Sequence, residues 1–172
     1  MTKKLSPQLI IIRGPIGAGK SSLIASLRKS MSETSAVEID TIKKQIDITG
    51  AVPWRLDVAF DTALYLTQQL MKKGRVIIVD IHSSRKEHLN GYLELAKTNH
   101  YTATSFLLYP PLEVCKERFK KRLASGVKNN IDDSKLVTQW EKTLRIRDEV
   151  VFEDPLLTPD QIAEQIILHL ET

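Results

Sequence analysis

The fold of this chain is decided by residues 9–21, LIIIRGPIGAGKS. The run opens with four apolar residues followed by Arg13, a pattern typical of a buried strand. Residues 14–21 then satisfy GxxxxGK[ST], the spacing of a phosphate-binding loop. From Ser22 onward, apolar residues recur at helical spacing: Leu23, Ile24, Leu27 and Met31. A strand, this loop and a helix in that order predict a nucleotide phosphate site.

Each residue type in this loop has a physical reason. Glycines let the backbone curl so that its N–H groups point at phosphate oxygens, and the following helix adds its positive end. Lys20 supplies a compact cation to the β- and γ-phosphates, and the Ser21 hydroxyl can ligate Mg²⁺. We expect the nucleotide to contact the whole loop, which consists of Gly14, Pro15, Ile16, Gly17, Ala18, Gly19, Lys20, Ser21 and Ser22.

The composition is that of an ordinary globular domain. The chain has 172 residues, of which 42% are hydrophobic and 27% charged, with a net charge of +4. These values exclude disordered and fibrous classes, and the length predicts one compact domain over residues 1–172. A single cysteine, Cys115, excludes an internal disulfide and favours a reducing compartment. No apolar run is long enough for a signal peptide or a membrane span, so we expect a cytoplasmic protein without a membrane partner.

Short apolar runs alternate with longer amphipathic stretches, which predicts an α/β fold around a parallel sheet. The expected strands are residues 9–13, 36–39, 75–80, 102–109 and 149–152. A long helix is expected over residues 54–73, ended by Gly74. The polar residues 125–134 are the one stretch expected to be a mobile loop.

Three further helix starts are marked by capping residues or prolines. Ser84 with Glu87, and Thr158 with Gln161, have the spacing of capping boxes. Pro110 and Pro111 suit the entrance of a helix. The buried stripe expected for that third helix is Leu112, Cys115, Phe119 and Leu123.

Two acids follow apolar strands and are candidates for the chemistry. Asp80 ends the third strand, where an acid of this fold holds Mg²⁺ beside the phosphate loop, although an acid there can also cap a turn. Asp40 ends the second strand and should face the same cleft, because ligands bind outside the carboxyl ends of parallel strands. Its carboxylate could accept or orient the hydroxyl of an acceptor. The alternative is an N-cap for the next helix, and one residue could serve both roles.

The positive charge is concentrated in one segment. Residues 116–147 hold ten Lys or Arg against four Asp or Glu, and the rest of the chain holds 15 against 17. Arg118 and Arg122 share one side of a helix and could reach a common ligand, since arginine pairs with phosphate and stacks on a base. Arg145 and Arg147 are weaker candidates. Next to a phosphate loop, this surplus is better explained by bound ATP than by nucleic acid or a membrane.

The sequence resembles the P-loop kinases related to gluconate kinase, chloramphenicol phosphotransferase, zeta toxin and polynucleotide kinase. The resemblance covers nearly the whole chain and rests on GPIGAGKS, VEIDTIKK, GRVIIVD, LLYPPLEVCKERFKKR and FEDPLLTPDQIAEQI. It implies a three-layer α/β/α fold with a five-stranded parallel sheet in the order 2-3-1-4-5. It also implies a basic helical lid over about residues 117–147.

Residue by residue, the resemblance implies several roles. Asp40 would act on the acceptor hydroxyl, Asp80 would hold the metal, Arg118 would pack on adenine and Arg122 would meet the phosphates. Lys43 stands where the group often has arginine, so a substrate contact there is plausible but altered. The pair His82 and Ser83 matches no substrate signature.

The predicted function is transfer of the γ-phosphoryl of ATP to a hydroxyl of a small molecule, with Mg²⁺ as cofactor. Lys20, Asp40 and Arg122 are the expected catalytic residues, and Ser21 and Asp80 the metal ligands. Trp54 and Arg55 could line the acceptor pocket beside Lys43, although core packing of Trp54 is equally plausible.

Three alternatives to this function remain open. One is a nucleoside, nucleotide or polynucleotide-end kinase, and another is a plain ATPase domain, which the short chain disfavours. The third is a nucleotide-dependent switch. Residues 47–50 spell DxxG, but no apolar strand precedes them and the chain has no NKxD motif, which argues against a GTPase.

Overall fold

The computed structural model describes residues 7–31, 33–46, 52, 54–82, 84–125, 132–147 and 149–171. Its centre is a five-stranded, all-parallel sheet in the order β2-β3-β1-β4-β5. The strands are β1 (Gln8–Gly14), β2 (Thr34–Glu38), β3 (Val76–His82), β4 (Thr102–Leu108) and β5 (Val150–Phe152). This is the order that the resemblance implies. The ends of each predicted strand lie within two residues of the ends of the observed strand.

Helices cover both faces of the sheet. They are α1 (Lys20–Ser30), α2 (Ile39–Ile46), α3 (Trp54–Met71), α4 (Lys86–Thr98), α5 (Leu112–Ala124), α6 (Asp133–Glu141) and α7 (Pro159–Leu170). The side chains of Ile10 and Ile12 face α1 and α7, whereas those of Leu9 and Ile11 face α3 and α4. Because both faces are covered, β1 is buried along its whole length, which explains its unbroken apolar run.

Of the two predicted capping boxes, the structure contains the one at α7 and lacks the one at α4. At α7, the Thr158 side chain and Gln161 cap each other's backbone, as predicted. At α4, the prediction is wrong, because the helix begins only at Lys86 and Arg85 precedes it without a side-chain cap. Glu87 is therefore the second helical residue, one position too early for a capping box, and its carboxylate pairs with Arg85.

The two described parts of the predicted lid, residues 117–125 and 132–147, pack against each other. Residues 126–131 lie outside the described part of the chain, and most of the predicted mobile loop falls there. Leu136 of α6 is fully buried against Cys115 and Phe119 of α5. Leu123 is 39% exposed, so the predicted buried stripe of α5 ends one turn earlier.

No described helix combines the length and the apolar character that crossing a membrane would require. The DxxG motif of residues 47–50 lies outside the described part of the chain.

Candidate active site

The phosphate loop joins β1 to α1, and its backbone requires glycine at Gly17 and Gly19. Gly17 has φ +79° and Gly19 has φ +103°, both in the left-handed region that other residues rarely adopt. A Cβ at Gly17 would also lie 2.4 Å from the backbone oxygen of Cys115. The loop is therefore packed directly against the first turns of α5. Since α1 begins at Lys20, the positive end of this helix points at the loop.

Lys20 is held within the loop by backbone oxygens. Its Nζ donates to the carbonyl of Gly14 at 2.8 Å and to that of Pro15 at 3.1 Å. Burial lowers the pKa of Lys20 below its usual value, while the carboxylates of Asp80 and Asp40 act in the opposite direction. The ammonium group is thus fixed at the base of the site, where a phosphate oxygen could replace a carbonyl oxygen as its partner.

Asp80 lies on β3 and is only 7% exposed. One of its oxygens accepts a hydrogen bond from the backbone N–H of Ile39 at 3.1 Å. Burial raises the pKa of Asp80 to about 6, although the Lys20 ammonium opposes this shift. A buried carboxylate with one protein donor keeps lone pairs for a further ligand.

Asp40 does not lie at a strand end, which corrects the sequence-based placement. β2 ends at Glu38 and α2 begins at once with Ile39, so Asp40 lies in the first turn of the helix. It is the second helical residue, so it is not the N-cap either. Its side chain is 63% exposed and accepts a hydrogen bond from Lys43 Nζ at 3.1 Å. Partial burial acts to raise the pKa of Asp40, but Lys43 and other positive neighbours hold it below its usual value.

These groups meet in a cleft of about 450 Å³ at the carboxyl ends of the strands. The loops after β4 and β5, with α5 and α7, form one side of it. The residues after β2 and at the end of β3 form the other side. Described lining residues on the first side are Leu108, Pro110, Arg118, Phe119, Arg122, Phe152, Asp154, Leu157, Pro159 and Ile162. Those on the second side are Asp40, Asp80 and His82. The phosphate loop, of which residues 16–22 line the cleft, lies between the two sides.

His82 is a lining residue to which the sequence assigned no role. Burial lowers the pKa of His82 to about 4, and Lys20 adds to this effect, so the ring is uncharged at neutral pH. A signal for it exists in the sequence. Residues two apart on a strand lie on the same face of the sheet, so His82 lies on the same face of β3 as the candidate acid Asp80.

Both candidate arginines of α5 reach the cleft. Arg118 Nη1 donates to the backbone oxygen of Ala18 in the phosphate loop at 3.1 Å. Arg122 lines the same side one turn later. Arg145 is engaged elsewhere, because its guanidinium pairs with Glu153 and lies 5.0 Å from the ring centroid of Tyr109.

The structure does not bring the three predicted acceptor residues into the described lining of the cleft. Lys43 lies beside it, paired with Asp40. Arg55 Nε donates to the backbone oxygen of Lys43 at 2.9 Å, which ties the start of α3 to α2. Trp54 is 53% exposed, so the alternative of core packing is wrong.

The donor atoms around Ser21 and Asp80 fit a magnesium ion that is shared with a nucleotide. Mg²⁺ keeps several waters and takes one or two carboxylates together with substrate phosphates, rather than a cage of protein ligands. Among the described residues, no group of three or more His, Cys, Asp or Glu could hold a metal. One buried carboxylate and one hydroxyl at the phosphate loop are consistent with that pattern.

The phosphate loop on β1, the strand order and the acid on β3 define a P-loop fold of the kinase type. A family model named AAA_33, an AAA domain, matches residues 9–145, and the chain belongs to this family. The resemblance to the small P-loop kinases is thereby confirmed in family and fold. No curated protein matches the sequence.

Solved structures share this fold over almost their full length. The tunicamycin resistance protein of Deinococcus radiodurans is 17% identical, with a TM-score of 0.71 over 95% of each chain. The APS kinase CysC of Mycobacterium tuberculosis, solved with AMPPNP and APS, is 17% identical, with a TM-score of 0.71 over 98% of this chain and 99% of that chain. A gluconokinase from Sinorhizobium meliloti 1021 is 17% identical, with a TM-score of 0.66 over 97% and 93%. At such identity these likenesses show the fold.

Proposed function

We propose that this protein is an ATP- and Mg²⁺-dependent kinase that phosphorylates a hydroxyl group of a small molecule. The observation that carries the proposal is the division of one cleft by the phosphate loop. On one side lie the two arginines of α5, and on the other lie Asp40, Asp80 and His82. Such a cleft can bind a donor and an acceptor on opposite sides of the transferred group. ATP and a reduced Cys115 both suit the cytoplasm, where we place the activity.

The donor would bind along the phosphate loop with its base towards α7. Lys20 and the N–H groups of the loop would hold the phosphates. Arg118 and Arg122 line the part of the cleft where the base and the phosphates would bind. Apolar lining residues, among them Leu157 and Ile162, suit an adenine ring. Phosphoryl transfer depends mainly on positioning and on neutralising charge, which these cations can supply.

The acceptor would enter beside Asp40. In the transfer, the acceptor O–H bond breaks and its proton passes to the Asp40 carboxylate. A new O–P bond forms while the bond from the γ-phosphorus to the bridging oxygen breaks, leaving ADP. Asp40 suits this role because its low pKa keeps it ionised and because it is accessible from the cleft.

When bound, Mg²⁺ would neutralise charge on the phosphates, and Ser21 and Asp80 are the residues placed to hold it. The raised pKa of Asp80 supports this assignment, because a cation would stabilise a carboxylate that burial alone disfavours.

Replacing Lys20 tests the proposal. Lys20→Ala removes the ammonium group that would meet the β- and γ-phosphates, so we expect loss of ADP release from Mg·ATP in a panel of hydroxylated acceptors. The variant should still fold. The matched control is Lys29→Ala, which removes an exposed lysine from the last turn of the same helix.

Nucleotide binding is measured first, by thermal shift with Mg·AMPPNP. A nucleotide at about 100 times its Kd should stabilise the wild-type chain by about 2.7 kcal/mol. Full activity of Lys20→Ala, or the absence of any shift with nucleotide in the wild type, would overturn the proposal.

A further inference from the structure

His82 presents to the cleft an imidazole ring that hydrogen-bonds to no other described side chain or backbone group. It is the last residue of β3, and the parallel register places it beside Gly14, where the phosphate loop begins. Only its backbone is engaged, since its carbonyl accepts the N–H of Arg85 at 3.1 Å. The ring nitrogens are therefore available to a ligand at the point where the donor and acceptor sides of the cleft meet.

A small recess lies at the same point. It measures about 10 Å³ and is lined by Lys20, Ile39, Asp40, Asp80, Ile81 and His82. A volume of this size is close to what a single water molecule needs, and a hydroxyl group has a similar oxygen atom. Four of the six lining side chains carry polar atoms. The recess has room for one small group, but its exposed surface is mostly apolar, so the polar contact at this point comes from the His82 ring.

We propose that His82 is a specificity-determining residue that hydrogen-bonds a second hydroxyl of the acceptor, and that the acceptor is an uncharged polyol. This inference rests on the proposed kinase function and deepens it. Asp40 would hydrogen-bond the hydroxyl that attacks, and His82 would hydrogen-bond the neighbouring hydroxyl of the same acceptor. An imidazole has one nitrogen that donates and one that accepts, and a hydroxyl group also does both.

The charges around the recess favour an uncharged acceptor over an anionic one. Asp40 faces the acceptor side and would repel a carboxylate, sulfate or phosphate group, whereas the charge of Asp80 would be neutralised by the metal. The nearby Lys43 is already engaged, with its Nζ 3.1 Å from the Asp40 carboxylate. Lys20 belongs to the phosphate loop, where it would neutralise the donor. A polyol needs no counter-ion and can use each polar atom on this side.

The test compares matched acceptors that differ in charge. Glycerol, myo-inositol and glucose are each assayed for ADP release with Mg·ATP, beside glycerate, gluconate and glucose 6-phosphate. We expect at least one of the uncharged polyols to raise the rate above that with water as acceptor. Its anionic counterparts should be poorer by about tenfold or more in kcat/KM, the effect of one unfavourable charge contact.

The role of His82 is then measured with the best polyol and with its analogue that lacks the hydroxyl beside the phosphorylated one. His82→Leu should lower kcat/KM for the polyol by about tenfold, the size expected for one hydrogen bond. It should cause no further loss with the deoxy analogue. His82→Asn keeps a donor and an acceptor and should restore part of the activity. His100→Asn, at an exposed histidine outside the site, is the control.

Failure of the proposed acceptor contact can be distinguished from failure of the proposed kinase site, because nucleotide binding is measured separately. The Kd for Mg·AMPPNP should stay within about twofold in His82→Leu, since the wild-type contact is to the acceptor. A weakened Kd would place His82 on the nucleotide and overturn its role here. A preference for the anionic acceptors, or no response to any polyol while Mg·AMPPNP binds, would overturn the acceptor class and leave the kinase site standing.

Discussion

Asp80 is a carboxylate that the fold holds in an unfavourable environment. Its pKa is raised from 3.8 to about 6, mainly by burial. The folded chain therefore binds a proton at Asp80 more tightly than the unfolded chain does. Between pH 4 and 6 this proton is lost on unfolding, so the contribution of Asp80 to stability falls as the pH rises through this window. At pH 7 the ionised group destabilises the metal-free protein.

Asp80→Asn should therefore stabilise the metal-free chain at pH 7 by about 1–3 kcal/mol, because the amide cannot ionise but can still accept from Ile39. Urea unfolding in EDTA measures this gain, which should shrink towards zero near pH 4. The same variant should lose Mg²⁺-dependent turnover. Asp61→Asn, at an exposed carboxylate of α3, is the control. A loss of stability at pH 7 would show that the carboxylate is favourable where it lies.

At the residue scale, the sequence identified the phosphate loop because the spacing of its glycines, Lys20 and Ser21 follows directly from phosphate geometry. The predicted position of Asp80 in the cleft is confirmed, because Asp80 lies near the carboxyl end of β3, where the cleft is. The sequence-based prediction misplaced Asp40, since nothing in the sequence marks that the chain turns into α2 immediately after Glu38. His82 received no role, because a lone histidine matches no motif and its spacing of two residues from Asp80 was the single signal for it.

At the scale of elements, the contact between α3 and α4 contains a buried histidine. His88 of α4 is 3% exposed and stacks on Phe60 of α3 with ring centroids 4.0 Å apart. Its Nδ1 is buried and has no hydrogen-bond partner among the described residues. Burial lowers the pKa of His88 below the usual 6.5. The contact therefore depends on an uncharged ring.

This contact should make the protein sensitive to acid. Because the unfolded chain binds the proton at His88 more readily, stability is lost as the pH falls below about 6.5. His88→Phe keeps a stacked ring and removes the titration, so the loss of stability between pH 6.5 and 5 should be smaller than in the wild type. Urea unfolding across this range measures it, with His100→Asn as the control. An unchanged pH dependence would exclude His88 as a source of the acid sensitivity.

Element boundaries were predictable where a side chain determines them. Thr158 and Gln161 cap α7 as their spacing indicates, and Gly74, with φ +66°, follows α3 as a residue that tolerates the left-handed region. The start of α4 was not predictable from Ser84 and Glu87, because their spacing indicates a helix that begins at Arg85, one residue before the observed start. Tertiary contacts, such as the burial of His88 and Leu89, decide between these possibilities.

At the scale of the whole molecule, one buried ion pair joins the phosphate-loop strand to the residue that precedes β5. Arg13, the residue before the loop, donates from Nη1 to both oxygens of Glu149 at 2.6 and 2.7 Å. Arg13 Nη2 donates to the backbone oxygen of Leu144, and the Ser105 hydroxyl donates to Glu149. The side chains of the pair are 2% and 0% exposed. The network ties β1, β4 and the start of β5 together.

Removing one partner of this pair should be far more harmful than removing both. Arg13→Met leaves a buried carboxylate without its cation and should cost about 3–5 kcal/mol of stability. Arg13→Met combined with Glu149→Leu removes both charges and should recover most of that loss. Urea unfolding of the wild type, both single variants and the double variant completes the cycle. Losses that simply add would mean that the two side chains do not depend on each other.

The order of the sheet came from the family resemblance, and the alternation of apolar runs explains why the α/β class was predictable. The Arg13 network was not predicted, because its partners lie 136 residues apart in the chain. An arginine inside an otherwise apolar strand does indicate a buried acidic partner, but not which one. Contacts between residues so far apart in the sequence depend on the packing of the complete sheet.

The burial of Cys115 has a practical consequence for experiments on this protein. It is the single cysteine of the chain, it is fully buried, and burial raises the pKa of its thiol to about 11. Thiolates, not thiols, react with maleimide dyes, so the native chain should behave as though it had no cysteine. A pair of cysteines introduced on the exposed faces of α2 and α5, which line opposite sides of the cleft, could then carry fluorophores without removal of the native one. Distances across the cleft could be followed by energy transfer while nucleotide is added.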